Sequence, residues 1–395
     1  MPSNRYKMLQ ALKGETKYGV LWAPRMDIWY YSNLYRNTLP EEFKGLTLKQ
    51  IIKKLGIIYN KYLPDWAGGY KIEATKDRLL GIYTHKDIPY EIKLDKSIKR
   101  KLTENNGLVE VSYITPKGTV KGSFQMNEFL KNSGVTLPPI KEFLIKSAKD
   151  YDIVMEIFSS IKVIPKPENY KQLCSEIGDD GYPPIYGHLA ASPMQAILRD
   201  LIEPTQFFIE YKLNLGRLLE LSKILEKFLL DIVNAVTDYY TEPIVVWGGN
   251  YDSALTFPPF FRDHILPFLN KVCDIIHAKN GRVIGHCDGE NDKLLPLYRE
   301  SGMDILQSVN VKPMVKNSYR EIRNSLRQEQ VISGGIPSIL LLKSSISDEQ
   351  FKNFLNELKK SYKKGERLIL EVSDNVPPDA DMDRLKIIGE FADKL

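Results

Sequence analysis

Short apolar runs that end in clusters of titratable side chains recur along this chain. Arg282-Val283-Ile284-Gly285 leads into His286, Cys287 and Asp288, and then Gly289. Ile244-Val245-Val246-Trp247 leads into Gly248-Gly249-Asn250-Tyr251-Asp252, and Leu368-Ile369-Leu370 into Glu371-Val372-Ser373-Asp374-Asn375. Apolar runs of this length, bounded by glycine and polar residues, read as strands buried on both faces. Further strands are expected at 18–25, 184–191, 304–309, 330–335 and 367–372. Helical patterns lie between them. Thr47 caps a helix over 48–55 that Gly56 closes, and 204–235 reads as one long helix. Pro258 and Pro259 suit the first turn of another. Phe261, Ile265, Leu269, Val272 and Ile276 mark its apolar face, and Pro267 is expected to kink it.

The region 70–121 is patterned differently. Residues 109–115 alternate apolar and polar, and Pro116-Lys117-Gly118-Thr119 turns the chain back, which predicts a β-hairpin. From about residue 146 onward strands and helices alternate, the signature of a parallel sheet closed by helices. The expected class is therefore α/β: a TIM (β/α)8 barrel with an N-terminal β-containing subdomain or insertion. Residues 1–145 would hold the first barrel strand and the β-rich insertion, and 146–395 the main part of the barrel. Such barrels keep their chemistry at the carboxyl ends of the strands. The three polar clusters then form a mouth offering carboxylates, an amide and an imidazole, which points to an enzyme rather than a binding module.

Composition narrows this further. The chain has 395 residues, 43% hydrophobic and 27% charged, ordinary for a folded protein that buries a large core. Its net charge of +5 comes from scattered lysines. The densest cluster, Lys93, Lys96, Lys99, Arg100 and Lys101, lacks an aromatic platform and reads as a solvated face, so no nucleic-acid partner is expected. Cys174, Cys273 and Cys287 cannot make a disulfide framework and imply a reducing compartment. Residues 1–17 are polar without a signal-peptide core, and no run approaches the ~20 apolar residues of a membrane span. A cytoplasmic location without membrane attachment is expected.

Several segments carry a family resemblance. Tyr251-Asp252-Ser253-Ala254-Leu255-Thr256-Phe257-Pro258-Pro259-Phe260-Phe261, continuing to His264-Ile265-Leu266-Pro267, resembles the uroporphyrinogen decarboxylase-like superfamily. So do the His286 strand followed by Leu294-Leu295-Pro296 and Gly302-Met303-Asp304, and the later Gly334-Gly335-Ile336-Pro337. Thr115-Pro116-Lys117-Gly118-Thr119 and Lys146-Ser147-Ala148-Lys149-Asp150-Tyr151 are similar to elements of its methyltransferase branch. The superfamily performs either decarboxylation of uroporphyrinogen acetates or methyl transfer involving a corrinoid. Its decarboxylases carry Arg-Gln-Ala-Gly-Arg after the first strand, two arginines to hold a polycarboxylate. This chain has Arg25-Met26-Asp27-Ile28-Trp29, which removes one arginine and adds a carboxylate.

The resemblance therefore implies a corrinoid-dependent methyltransferase. It would move a methyl group from a small methylated donor, such as a methoxylated aromatic, to a cobalt(I) corrinoid on a small partner protein. No Asp-x-His-x-x-Gly motif is present to bind the corrinoid here. Zinc-dependent members use His-x-Cys and a distant Cys, whereas the matching slots here read His286, Asp288 and Asp374. These three are the expected catalytic set, holding a weak zinc or acting as general acids without metal. With His286 facing inward, Cys287 should face away from the lumen, since neighbours on a strand point to opposite faces. Arg25, Asp27, Asn250, Tyr251, Asp252 and His188 are the expected substrate-binding residues. Arg25 could instead pair with Asp27, and Asn250 and Asp252 could be turn formers. The competing readings are a decarboxylase-like lyase acting on a smaller carboxylic acid and a non-catalytic barrel. A homodimer is left open.

Overall fold

The computed structural model describes residues 2–64 and 71–395. Tyr70, the expected start of the β-rich stretch, lies outside them. The strands in chain order are β1 (Leu21–Trp22), β2 (Tyr90–Lys93), β3 (Lys99–Asn105), β4 (Leu108–Thr115), β5 (Gly118–Gln125), β6 (Ile140–Glu142) and β7 (Lys162–Pro165). There follow β8 (Ile185–His188), β9 (Ile244–Gly249), β10 (Arg282–His286), β11 (Ile305–Val309), β12 (Val331–Ile336) and β13 (Leu368–Val372).

The central sheet is wholly parallel in the order β1-β13-β12-β11-β10-β9-β8, with helices between successive strands. This is the α/β TIM barrel expected from the sequence. Its eighth position is filled by residues 57–60, which form no ladder strand. Ile58 N–H donates to Trp22 O at 3.4 Å on one side, and Tyr59 N–H to Asp180 O at 2.9 Å on the other. Closure needs Gly181, because a Cβ there would lie 2.0 Å from Tyr59 O.

One face of six of the seven strands, β8 excepted, contributes to an apolar cluster in the lumen. Leu21, Ile244, Ile284, Ile305, Val331 and Ile369 form an inner apolar cluster with Ile58 and Tyr62. Met8 and Leu12 of the amino-terminal helix Asn4–Leu12 join it from below, sealing the end where the strands begin. The opposite strand faces pack on the surrounding helices, so both faces are buried and the strands read as continuous apolar runs.

The insertion is a four-stranded antiparallel sheet, β3-β4-β5-β6, with the predicted hairpin at its centre. Val109, Val111 and Tyr113 are buried on one face of β4. Arg78, just outside this sheet, is held by Asp200 at 2.5 Å, and Arg100 of β3 by Asp77, also at 2.5 Å. A single buried cluster runs from the insertion into the barrel, and β7 pairs antiparallel with β2.

Local signals match closely where the chemistry is local. Thr47 and Gln50 form a capping box on the helix Leu48–Leu55, and Gly56 closes it at φ 68°. Two expectations are corrected. The single helix over 204–235 is two, Pro204–Leu213 and Leu215–Thr237, because Asn214 leaves helical geometry at φ −137°. Pro267 sits in a helical run that is continuous over 258–277 but loses regular α geometry just before it. A wide π-type turn over Phe261–Ile265 precedes it, and Pro267 lies in the first turn of Leu266–His277, where its missing N–H is harmless.

Candidate active site

His286 ends β10 two residues beyond Ile284 of the lumen cluster. The pairing of β10 with β9 shifts register between Ile284 and His286, bringing His286 opposite Gly249. A Cβ at Gly249 would lie 2.8 Å from His286 Cβ, so glycine makes room for the imidazole. The ring's Nδ1 lies 2.5 Å from Gln307 Oε1. Gln307 is itself oriented, because its Nε2 donates to Glu371 Oε1 at 2.8 Å. Glu371 also accepts from Ser308 N at 3.2 Å and, through Oε2, from Asn60 Nδ2 at 2.6 Å. With Gln307's amide nitrogen turned to the carboxylate, its oxygen must face His286, so Nδ1 carries the proton. The ring then turns Nε2 to the mouth.

That nitrogen faces two carboxylates. Asp288 Oδ1 is 3.7 Å away and Asp374 Oδ1 3.6 Å. Arg25, almost fully buried at the end of β1, lies 3.1 Å from Asp374 Oδ1 and 3.7 Å from Asp27 Oδ2. Asp27 is braced in turn by Asn375 Nδ2 at 2.9 Å. Burial alone would lower the Arg25 pKa, but Asp27, Asp374, Glu371 and Asp288 outweigh it and hold the guanidinium above its ordinary value. Asp288 is raised, chiefly by burial and further by Asp374, against the pull of His286 and Arg25. Glu371 is also raised by burial, against its hydrogen bonds and Arg25. Asp288 Oδ1 is buried without a hydrogen-bond partner among the described residues. Asp374 takes a left-handed backbone, φ 67°, and its side chain is 47% exposed, so the cluster opens to solvent there.

Five of the expected site residues therefore converge: Arg25, Asp27, His286, Asp288 and Asp374. Among the described residues no three His, Cys, Asp or Glu side chains are placed to hold a metal ion. The nearest set has the Arg25 guanidinium on Asp374 Oδ1, where a divalent cation would have to compete with it.

The other expected residues serve the loops or lie elsewhere. Asn250 is exposed at the mouth with φ 55°, its N–H donating to His286 O at 3.0 Å, so it is a turn former beside the site. Asp252 braces the loop after β10, accepting from Glu290 N at 3.1 Å and Ala254 N at 2.8 Å. Tyr251 is not a substrate contact. It is fully buried, packed 5.3 Å from the Phe261 ring and 5.8 Å from Tyr298. His188 does not join the cluster either. Its ring faces the helical layer, 6.2 Å from Phe228 and from Trp247, and Nδ1 accepts from Ala190 N at 3.0 Å. A register shift between Tyr186 and His188 upsets the alternation that would have aimed it inward. Cys287 faces outward as expected, buried in the shell beside Asn291, Leu295 and Tyr298, with its thiol pushed well up by burial.

Gln307, Glu371 and Asn60 were missed. The first two carried a readable signal. Ile284-x-His286, Ile305-x-Gln307, Val331-x-Ser333 and Ile369-x-Glu371 each place a polar residue one inward step beyond a lumen aliphatic. Asn60 gave none, because it lies on the segment that replaces the eighth strand.

Comparison with known proteins agrees with this architecture. Residues 220–395 match the model of the family "Uroporphyrinogen decarboxylase (URO-D)". Among solved structures, a methyltransferase from Methanosarcina mazei superposes with a TM-score of 0.53 at 14% identity, covering 100% of this chain and 99% of that one. No curated protein matches the chain. Among the described residues no helix is long and apolar enough to cross a membrane.

Proposed function

We propose that this chain, which carries the uroporphyrinogen decarboxylase family pattern over residues 220–395, is a methyltransferase acting through the His286 mouth. Its donor would be a small methylated compound such as a methoxylated aromatic. Its acceptor would be a cobalt(I) corrinoid presented by a small partner protein. The name of the Methanosarcina mazei structure supports methyl transfer. The charge pattern supports it over decarboxylation of a polycarboxylate, since a single arginine sits among Asp27, Asp288 and Asp374. That mouth repels a polyanion and accepts a neutral or cationic donor.

The observation that carries the reading is Nε2 of His286 turned to the mouth 3.7 Å from Asp288, a carboxyl raised by burial whose Oδ1 has no hydrogen-bond partner among the described residues. In transfer from an ether, the donor's methyl–oxygen bond breaks and the oxygen keeps the electron pair. The acceptor supplies the pair that forms the new bond to carbon. The leaving oxygen then needs a proton, and one shared between Asp288 and His286 Nε2 can reach it. Gln307 and Glu371 hold the ring so that Nε2 is the nitrogen that points outward. Arg25 holds Asp374 in place beside the ring.

The test is single-turnover methylation of a cobalt(I) corrinoid carrier, followed by its absorbance change, with methoxylated aromatics and methylamines as donors. Turnover with one donor class is the expected result. No turnover with any donor, together with carbon dioxide release from a small carboxylic acid, would establish the lyase alternative instead.

A further inference from the structure

A second cleft opens at the other end of the barrel. Arg367 directly precedes β13, and Arg327 and Glu329 lie just before β12, so this cleft borders the starts of the strands whose far ends hold the active site. Its volume is 1240 Å³. Four arginines and two lysines line it besides Arg367, against three glutamates. The lining thus carries a net charge of +4, most of the +5 of the whole chain.

The cations are unevenly matched. Arg320 pairs with Glu366 and Arg327 with Glu329. Among the described residues no carboxylate pairs with Arg299, Arg323, Lys363, Lys364 or Arg367. Arg367 is held in place by backbone: Nε donates to Gly14 O at 2.8 Å and Nη1 to Gln328 O at 3.2 Å. Gly14 lies at φ +85°, and a Cβ there would come 3.1 Å from Arg367 Nε, so glycine permits this approach. Arg323 donates to Gln330 O and Arg327 O. Each of these two guanidiniums therefore keeps N–H donors unused out of five. Arg323 is 7% exposed, and its pKa is lowered first by burial and also by Arg367 and Arg320, the mark of a crowded positive potential.

Like charges gathered in a partly enclosed cleft repel one another, and a bound polyanion offsets that repulsion. Planar guanidiniums suit phosphate oxygens, which they contact with two parallel hydrogen bonds. We propose that this cleft is a binding site for a multiply phosphorylated small molecule, distinct from the methyl-transfer site and remote from it. Its volume admits several linked phosphates rather than one.

The test is calorimetric titration of the full chain at physiological salt with inorganic phosphate, tripolyphosphate, ATP and a polyglutamate peptide. One tripolyphosphate should bind per chain, more tightly than inorganic phosphate. Equal affinity for ATP identifies the phosphate chain as the recognised part, whereas tighter ATP binding identifies a nucleotide. The exposed double variant Lys363→Glu/Lys364→Glu should weaken binding roughly tenfold or more. Lys99→Glu/Lys101→Glu, the same charge change on exposed β3 positions, should leave it unchanged. No binding of tripolyphosphate at millimolar concentration overturns the proposal. So does equal weakening by both variants, which would reflect net charge alone, and so does tighter binding of polyglutamate, which would mark an acidic protein partner.

Discussion

Glu371→Gln is the most informative substitution in the active site. The carboxylate accepts three N–H groups, from Gln307 at 2.8 Å, Ser308 at 3.2 Å and Asn60 at 2.6 Å. An amide of the same shape must turn its NH2 toward one of them. Asn60 cannot rotate to accommodate it without losing its bond to Ala23 O at 2.5 Å. Gln307 can rotate, and then offers Nε2 to His286 Nδ1. The imidazole responds by moving its own proton to Nε2, so that Nε2 no longer shares the proton of Asp288. The remaining mismatch at Ser308 N–H costs about 1–3 kcal/mol, the scale of one buried unsatisfied group. Losing the buried charge opposes that cost. The folded-state pKa of Glu371 is raised, so its ionisation removes stability as pH rises from the unfolded value, about 4.3, through the folded one. The variant lacks that loss, so its stability at pH 7 should change by less than about 3 kcal/mol. Methyl transfer should fall roughly 10- to 100-fold, the scale seen when a histidine loses its orienting partner. Single-turnover kinetics give the rate, and imidazole 15N shifts of His286 give the tautomer. A variant at the wild-type rate with Nε2 still unprotonated would refute the reasoning.

Two further outcomes follow from the geometry. His286→Ala should slow methyl transfer by ~10²-fold or more with little change in melting temperature, while Cys287→Ser, in the outer shell, should keep nearly the full rate; a dead Cys287 variant beside an active His286 variant would point to a thiolate site. His188 is held down to about 4 by burial and by Arg199, so its stabilising effect is present above the unfolded value of 6.5 and is lost as pH falls toward 4. Wild type should therefore lose on the order of 3 kcal/mol over that window from this group, and His188→Gln should flatten the decline in denaturant-unfolding curves recorded across it; an unchanged slope would show that the ring is not buried neutral.

Much of this molecule is written in its local sequence. Apolar runs of three or four residues, cut by glycine and polar clusters, mark the strands because both strand faces are covered. Thr47, Gln50 and Gly56 fix a helix because capping is settled within a single turn. His286, Asp288, Asp374 and Arg25 could be assigned to one mouth because every barrel strand points the same way, so residues far apart in sequence share an end. Which face a side chain occupies is a different matter. His286 keeps step with Ile284, but a register shift beside His188 breaks the two-residue alternation, and only strand pairing shows that its ring leaves the lumen. The orienting chain from Asn60 through Glu371 and Gln307 to His286 spans 311 positions, and nothing near any one of them specifies the others. The eighth wall of the barrel is a segment without a strand pattern, set in place by contacts with Trp22 and Asp180. Sequence determined the elements and the end at which chemistry gathers, since those depend on neighbours a few residues away. Tertiary packing decided the direction of each polar side chain and the protonated nitrogen of His286, since those depend on partners hundreds of residues away.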